Sequence, residues 1–270
     1  RFFQPHRTSG VRRFSAEYLD RTREGMWDDR TALAPLELAS RDSVLDVGCG
    51  TGELAAALEK ETDARIVGAD RDSELLAHLP RNVPGVCADA YRLPFPDDSF
   101  DIVVCQALLI NLPDPERALA EFARVASESV AAVEPDNGAV TVESTVANES
   151  RLAGEARDRY IAGVDTDVTL GSRLAELFEG AGFTNVRTAR RDQTQTVEPP
   201  YSEADLEAVG RKARGDAIRT KRGDLAGDAD ALDRLRAAWR EMGREALEQT
   251  QAGEYERRET VPFHVAVGDV

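Results

Sequence analysis

Short apolar runs bounded by glycine, proline or charged residues recur through the first half of the chain, and stretches of helical period separate them. Ser43–Val47, Arg65–Ala69, Gly85–Ala88, Phe100–Cys105 and Val130–Val133 read as strands. Glu53–Lys60, with Leu54, Ala57 and Leu58 on one face, reads as a helix, as do Ser73–Leu79 and Pro115–Val125. Short apolar runs alternating with helices predict parallel strands covered on both faces. Sheets of this kind bind ligands beyond the carboxyl ends of their strands.

The flanks are less regular. The first forty residues predict helices, with Phe14, Tyr18 and Leu19 at helical spacing and Leu33, Leu36 and Leu38 following Trp27. After Pro135 the pattern loosens until a helix at Ser172–Ala181 and a strand at Phe183–Arg190. A further helix is expected around Arg151–Ile161. Ser202-x-x-Asp205 is a capping signature that opens a helix running to Ile218. Leu232, Leu235, Trp239 and Met242 form one helical stripe that suits a core or a lid, and Val261–Val267 closes the chain as a strand. The expected organisation is one domain over 1–270. It comprises a helical cap at 1–40, a core at 41–191, a helical insertion at 192–260 acting as a lid or substrate cap, and a last strand within 261–270.

Composition narrows the class. With 270 residues the chain can bury a full core without disulfides or metals. At 41% hydrophobic and 31% charged it is globular rather than fibrous. The longest apolar run, Ile102–Ile110, is too short to span a bilayer, and no secretory signal opens the chain. It begins at Arg1 rather than Met, which leaves room for residues upstream. Cys49, Cys87 and Cys105 show no Cys-x-x-Cys spacing, which suits a reducing cytoplasm and argues against zinc. The formal charge is −16, and Lys60, Lys212 and Lys221 are the only lysines. Acidic excess with lysine depletion points to a protein that works in high salt, and an acidic mesophile protein is the plainer alternative. No strip of aromatic and basic residues favours a nucleic acid.

The chemistry gathers at Asp46-Val-Gly48-Cys49-Gly50-Thr-Gly52, between the first strand and its helix. Alternate glycines let the backbone turn sharply and approach a ligand, and the following helix presents free N–H groups. From Gly50 the loop also fits the dehydrogenase spelling Gly-x-Gly-x-x-Ala, ending at Ala55. Asp46 separates the readings: a carboxylate there repels a pyrophosphate and suits a ligand carrying an ammonium group.

With Asp70 ending the second strand, Asp89-Ala90 after the third and Phe100-Asp101 opening the fourth, the chain resembles the class I S-adenosylmethionine-dependent methyltransferases. The run Leu93–Asp101 is similar to the small-molecule branch that includes the ubiquinone and menaquinone methyltransferases, of methyltransferase type 11. The resemblance covers about Leu38–Pro135, and more weakly Gly171–Arg190. It implies an α/β, Rossmann-like, seven-stranded, mostly parallel sheet with helices on both faces. It implies S-adenosyl-L-methionine as cofactor, a small-molecule acceptor, no nucleic-acid or membrane partner, and a monomer or homodimer. It also implies that Gly48, Cys49, Gly50 and Gly52 shape the loop beneath the methionine moiety and that Asp46 meets its amino group. Asp70 would accept the ribose hydroxyls, with Arg71 along the adenine face. Asp89 and Ala90 would meet the adenine edge, and Gln106 would line the sulfonium pocket. Asp101 is expected to brace a loop instead.

Each assignment has a plainer counterpart. Asp70 could cap the helix that follows, Asp89 could serve a turn, and Cys49 and Cys105 suit small apolar fillers. No catalytic base stands out. His6 lies in the N-terminal segment, His78 on a surface helix and His264 in the last strand; Asn111 occupies a position where relatives carry histidine. Asp136-Asn137 resembles a magnesium-dependent pattern, but that pattern needs a carboxylate where Gln106 stands, so no metal is expected. Two other readings remain open here: a non-catalytic cofactor-binding scaffold or sensor, and a nicotinamide-dependent dehydrogenase.

Overall fold

The computed structural model describes Ala16 and residues 26–270. The expectations for His6, Phe14, Tyr18 and Leu19, and most of the helical cap at 1–40, lie outside the described residues. Within 26–40 the chain forms two 3-10 turns, Thr31–Leu36 and Leu38–Ser40, rather than α-helices. Pro35 sits inside the first turn, and Glu37, at φ 52°, separates the two.

Eight strands form the sheet, one more than the seven expected. In chain order they are β1 (Ser43–Val47), β2 (Arg65–Asp70), β3 (Gly85–Cys87), β4 (Phe100–Gln106), β5 (Ala126–Pro135), β6 (Thr141–Ser144), β7 (Thr184–Val197) and β8 (Arg257–Asp269). The order across the sheet is β3-β2-β1-β4-β5-β8-β6, with β7 also beside β8. The pairs β3–β2, β2–β1, β1–β4 and β4–β5 are parallel. The strand missed by sequence is β6, antiparallel to β8 with Thr141 opposite Thr260. Its Thr-Val-Glu-Ser sequence alternates exposed and half-buried positions and offers no apolar run.

The helices are α1 (Glu53–Leu58), α2 (Ser73–Leu76), α3 (Pro115–Val125), α4 (Glu149–Gly163), α5 (Leu174–Gly180), α6 (Glu203–Arg214), α7 (Asp216–Thr220) and α8 (Ala229–Ala252). Asp114 caps α3 by accepting the Arg117 N–H at 3.0 Å, and Pro115 follows at the first turn, where no N–H is needed. The Ser202–Asp205 box forms at the start of α6, with the Ser202 N–H donating to Asp205 Oδ2 at 2.9 Å. The helix expected to reach Ile218 breaks at Gly215, whose φ of +66° ends α6 and begins α7.

The chain divides into two compact units. The first holds residues up to 133, Ala175–Thr188 and Ala266–Val270. Its core is the parallel sheet: Val44, Leu45, Ile102, Val103, Val104 and Cys105 are fully enclosed, and Leu54, Leu58, Leu119 and Phe122 pack as helix residues. Strands buried on both faces read as unbroken apolar runs, which is why the sequence exposed them. At the amino ends of β1 and β4, Asp101 Oδ2 accepts the N–H groups of Asp42 at 2.6 Å and Ser43 at 3.0 Å, so Asp101 braces the sheet.

The second unit comprises Glu134–Leu174 and Ala189–Val265. Its core joins Leu152 of α4, Val209 of α6, Ile218 of α7 and Leu232, Leu235 and Met242 of α8, with Trp239 packed against it. The α8 stripe is therefore core. Beside it Glu149, 1% exposed, accepts from Ser144 Oγ at 2.7 Å, Tyr255 OH at 2.8 Å, Lys212 Nζ at 2.5 Å and Arg257 Nε at 3.0 Å. Arg257 also pairs with Glu259. Burial pushes the Lys212 ammonium down to about 8, only partly countered by Glu149. Burial and the Glu149 charge hold the Tyr255 phenol neutral well above its ordinary range.

Candidate functional site

The strand register sets the site. Val47 lies opposite Ala69 on β2 and Cys105 on β4, and Cys105 opposite Ala132 on β5. One residue further on stand Gly48, Asp70 and Gln106, the first positions beyond that level. Asp89-Ala90 follows β3, whose Cys87 pairs with Asp70. The predicted residues thus line one rim, the carboxyl ends of β3, β2, β1 and β4, within the first unit.

The glycine loop is held from β2. The Ala69 carbonyl accepts the N–H of Gly48 at 2.7 Å and of Cys49 at 3.1 Å. Gly50 donates its N–H to Asp70 Oδ2 at 2.9 Å, and Gly52 donates to the Cys49 carbonyl at 2.9 Å. Gly48, Gly50 and Gly52 all have positive φ, 71°, 55° and 87°. A Cβ on Gly48 would meet Leu108 Cδ1 at 2.8 Å, and one on Gly52 would meet Leu79 Cδ2 at 2.6 Å. The loop is thus a backbone cradle that no other residue type fits at those two positions. Cys49 turns inward: a Cβ on Gly68 of β2 would lie 2.9 Å from its Sγ, so the thiol fills the space a side chain there would take.

Asp70 ties the loop to the end of β2. Its Oδ1 accepts the Asp72 N–H at 2.8 Å while Oδ2 takes that of Gly50. It does not cap the following helix; Asp72 does, accepting the Glu74 N–H at 3.0 Å. A carboxylate offers about four lone-pair sites, so a half-buried Asp70 with two backbone donors keeps acceptor capacity. Asp89 is exposed, and its Oδ1 accepts the Tyr91 N–H at 2.9 Å, so it does serve a turn. Arg71 is exposed and Ala90 half-buried. Asp46, 1% exposed, stands opposite Gly68 and Val104, enclosed by both neighbouring strands.

Gln106 behaves unlike the others. It is 3% exposed, its Oε1 accepts the Trp27 indole N–H at 3.2 Å, and its Nε2 donates to Met26 Sδ at 2.9 Å. The next residue, Ala107, has φ 49°, an unusual conformation for a residue with a Cβ. Its carbonyl accepts Asn111 Nδ2 at 2.7 Å. Sequence reasoning missed Met26 and the pairing of Trp27 with Gln106, since nothing near them in the chain announces a partner 79 positions away.

Among the histidines, His78 is exposed and His264 half-buried, with burial lowering the His264 pKa. Asp136 Oδ1 accepts the Gly138 N–H at 2.8 Å, and Asn137 Nδ2 donates to the Val168 carbonyl at 2.7 Å, so both serve the local turn. Among the described residues no group of three or more His, Cys, Asp or Glu is placed to hold a metal ion, and no helix is long and apolar enough to cross a membrane.

A parallel sheet with a glycine cradle and acidic residues at the strand tips defines a nucleoside-binding α/β protein. The family model described as a methyltransferase domain matches residues 45–133. A demethylmenaquinone methyltransferase of Lactiplantibacillus plantarum is 32% identical over 188 residues, 61% of this chain and 79% of that protein. Methyltransferase GfsG of Streptomyces halstedii is 32% identical over 134 residues, and the match spans 41% of this chain but only 48% of that protein. A solved structure of a candidate type II methyltransferase from Anaeromyxobacter dehalogenans shares the fold, with TM-score 0.56 at 23% identity over 86% of this chain and 92% of that one. The chain belongs to the S-adenosylmethionine-dependent methyltransferase family. These relatives lend nothing to the dehydrogenase spelling or to a non-catalytic scaffold.

Proposed function

We propose that this chain transfers a methyl group from S-adenosyl-L-methionine to a small-molecule acceptor, with the rim residues of β1, β2, β3 and β4 as its cofactor site. The observation that carries the site is the Asp70 carboxylate. It closes the glycine loop through Gly50, leaves helix capping to Asp72, and retains acceptor capacity. The residues fit the group: the positive-φ turn through Gly48, Gly50 and Gly52 brings bare backbone to the rim, and the rim carries carboxylates and no lysine.

When bound, the cofactor supplies a methyl group on a sulfonium. The chain's own residues bind and orient. Asp70 accepts the ribose hydroxyls, and Asp89 with the Ala90 N–H takes the adenine edge beside Arg71. Asp46 and the loop Gly48–Gly52 hold the amino-acid end. Transfer is an in-line displacement, so the protein need only align the acceptor and exclude water. We assign acceptor selection to the insertion expected at 192–260, whose helices fall within 198–256 between β7 and β8, and the rest of 1–270 to the same methyltransferase domain.

The absence of Cys-x-x-Cys spacing among Cys49, Cys87 and Cys105 supports a reducing, cytoplasmic setting. The charge of −16 with three lysines supports adaptation to high salt, and the lack of an aromatic and basic strip in the sequence speaks against a nucleic-acid partner. A monomer or homodimer is the expected assembly.

Titration calorimetry with S-adenosylhomocysteine tests the site. A charge-assisted hydrogen bond contributes about 1.5–3 kcal/mol, so Asp70→Ala should weaken binding at least tenfold. Undiminished binding by that variant would remove Asp70 from the site, and no binding by the wild type would end the proposal.

A further inference from the structure

The Gln106 carboxamide is fully enclosed, and it bonds through both its oxygen and its nitrogen to one turn, Met26–Trp27. Met26 is 1% exposed and Trp27 9%, so the turn is packed down against the end of β4. Gln106 follows Cys105, which lies opposite Val47, so the amide stands level with Gly48 at the start of the cradle. A buried amide is expensive unless bonded, and here one of its hydrogens goes to a thioether, a weak acceptor. That choice gives little stability and much geometry. It fixes the plane of the amide, and with it the direction from which the indole N–H arrives. Ala107 adds a second sign of constraint, holding φ at 49° directly after the amide.

We infer that Gln106 is a positioning residue and not a ligand of the cofactor: its carboxamide fixes the Met26–Trp27 turn as an apolar wall at the carboxyl end of β4, and it acts on cofactor binding through Trp27. This inference rests on the cofactor site proposed above. An amide spent on the indole and the thioether is not free to line the sulfonium pocket, the role the sequence suggested. The indole and thioether present polarisable, uncharged surface in its place.

The chain has two tryptophans, which makes the inference readable by fluorescence. Trp239 lies in the second unit, and its Nε1 is buried with no hydrogen-bond partner, so Phe should replace it at little cost. In a Trp239→Phe background Trp27 is the sole emitter. Adding S-adenosylhomocysteine should change its emission. Gln106→Met keeps length and volume but cannot accept from the indole. It should move the resting emission to the red and weaken S-adenosylhomocysteine binding about tenfold, the loss of one buried hydrogen bond.

Trp27→Phe, measured by calorimetry, should weaken binding to a similar extent, and the double variant no further than the worse single one. Far-UV circular dichroism confirms that each variant folds. A resting emission unmoved by Gln106→Met overturns the inference. So does a double variant whose loss is the product of the single losses, since Gln106 would then act on the ligand independently. If the wild type binds no S-adenosylhomocysteine, the cofactor site itself fails, and the resting emission of ligand-free Gln106→Met still decides whether Gln106 holds Trp27.

Discussion

At Gly52 the backbone sits at φ +87°, and a Cβ there would lie 2.6 Å from Leu79 Cδ2 and 2.7 Å from Pro80 Cδ. Two penalties therefore coincide. A left-handed conformation costs a residue with a Cβ about 1–2 kcal/mol, and the clash must displace a proline ring that cannot swing away. Gly52→Ala should lower unfolding free energy by roughly 2–4 kcal/mol in urea melts and abolish detectable S-adenosylhomocysteine binding. At Gly180 a Cβ would meet nothing within 4 Å and φ is not positive, so Ala should leave both measurements unchanged. The turn was legible in the sequence because its three positive-φ positions call for glycine. Asp70 was legible as the residue ending the second strand, which β2 bears out. The Gln106–Trp27 contact was not legible, since a hydrogen bond closed between residues 79 positions apart leaves no local spacing to read.

Among the elements, β1 to β4 were read to within a residue at each end, and of β5 only the apolar stretch Val130–Val133 was read, since the exposed Ser127 and Glu128 hid its start. The antiparallel edge was not: β6 has four residues, none fully buried, and owes its existence to pairing with β8. The second unit is held by a different device, the Glu149 cluster, which joins β6, α4, α6, β8 and the Tyr255 loop. Lys212 there is one of three lysines in an arginine-rich chain. Its pKa falls from an unfolded value near 10.4 to about 8, burial being the largest cause. A base whose folded pKa is depressed carries an unrelieved cost below that pKa. Stability therefore rises with pH between about 8 and 10, as the unfolded chain holds a proton the folded one has released. Above pH 10 Tyr255 opposes the trend, since its raised pKa keeps the folded phenol neutral while the unfolded one ionises. Glu149, whose pKa is lowered, and Arg257, whose pKa is raised, face the same cluster and keep their charges through that window. Urea melts at pH 7.5, 8.5 and 9.5 should show the wild type gaining about 2 kcal/mol and Lys212→Met gaining none of it. Parallel slopes for the two proteins would show that Lys212 is not the titrating group.

Over the whole molecule the dominant quantity is the charge of −16, spread along the sequence rather than gathered in a tail. Many arginines are already committed, as Arg124 is to Glu121 and Asp97 and Arg159 to Glu155, so the pairs that exist do not cancel the excess. Like charges on a compact body repel, and the repulsion weakens as salt shortens its range from about 10 Å at 0.1 M to about 3 Å at 1 M. The thermal midpoint should therefore climb with added KCl. About 2 kcal/mol of relieved repulsion corresponds to a rise of roughly 4–8 °C at this chain length. Screening and preferential exclusion predict different shapes: screening delivers most of its gain below about 0.5 M, whereas exclusion of salt from the surface keeps adding above it. Trp27 and Trp239 lie in different compact units, so Trp239→Phe and Trp27→Phe report the units separately. Repulsion distributed over the surface must raise both midpoints. A rise confined to one unit would trace the effect to a local cluster, and a midpoint unchanged between 0.1 and 0.5 M KCl would remove the case for adaptation to salt.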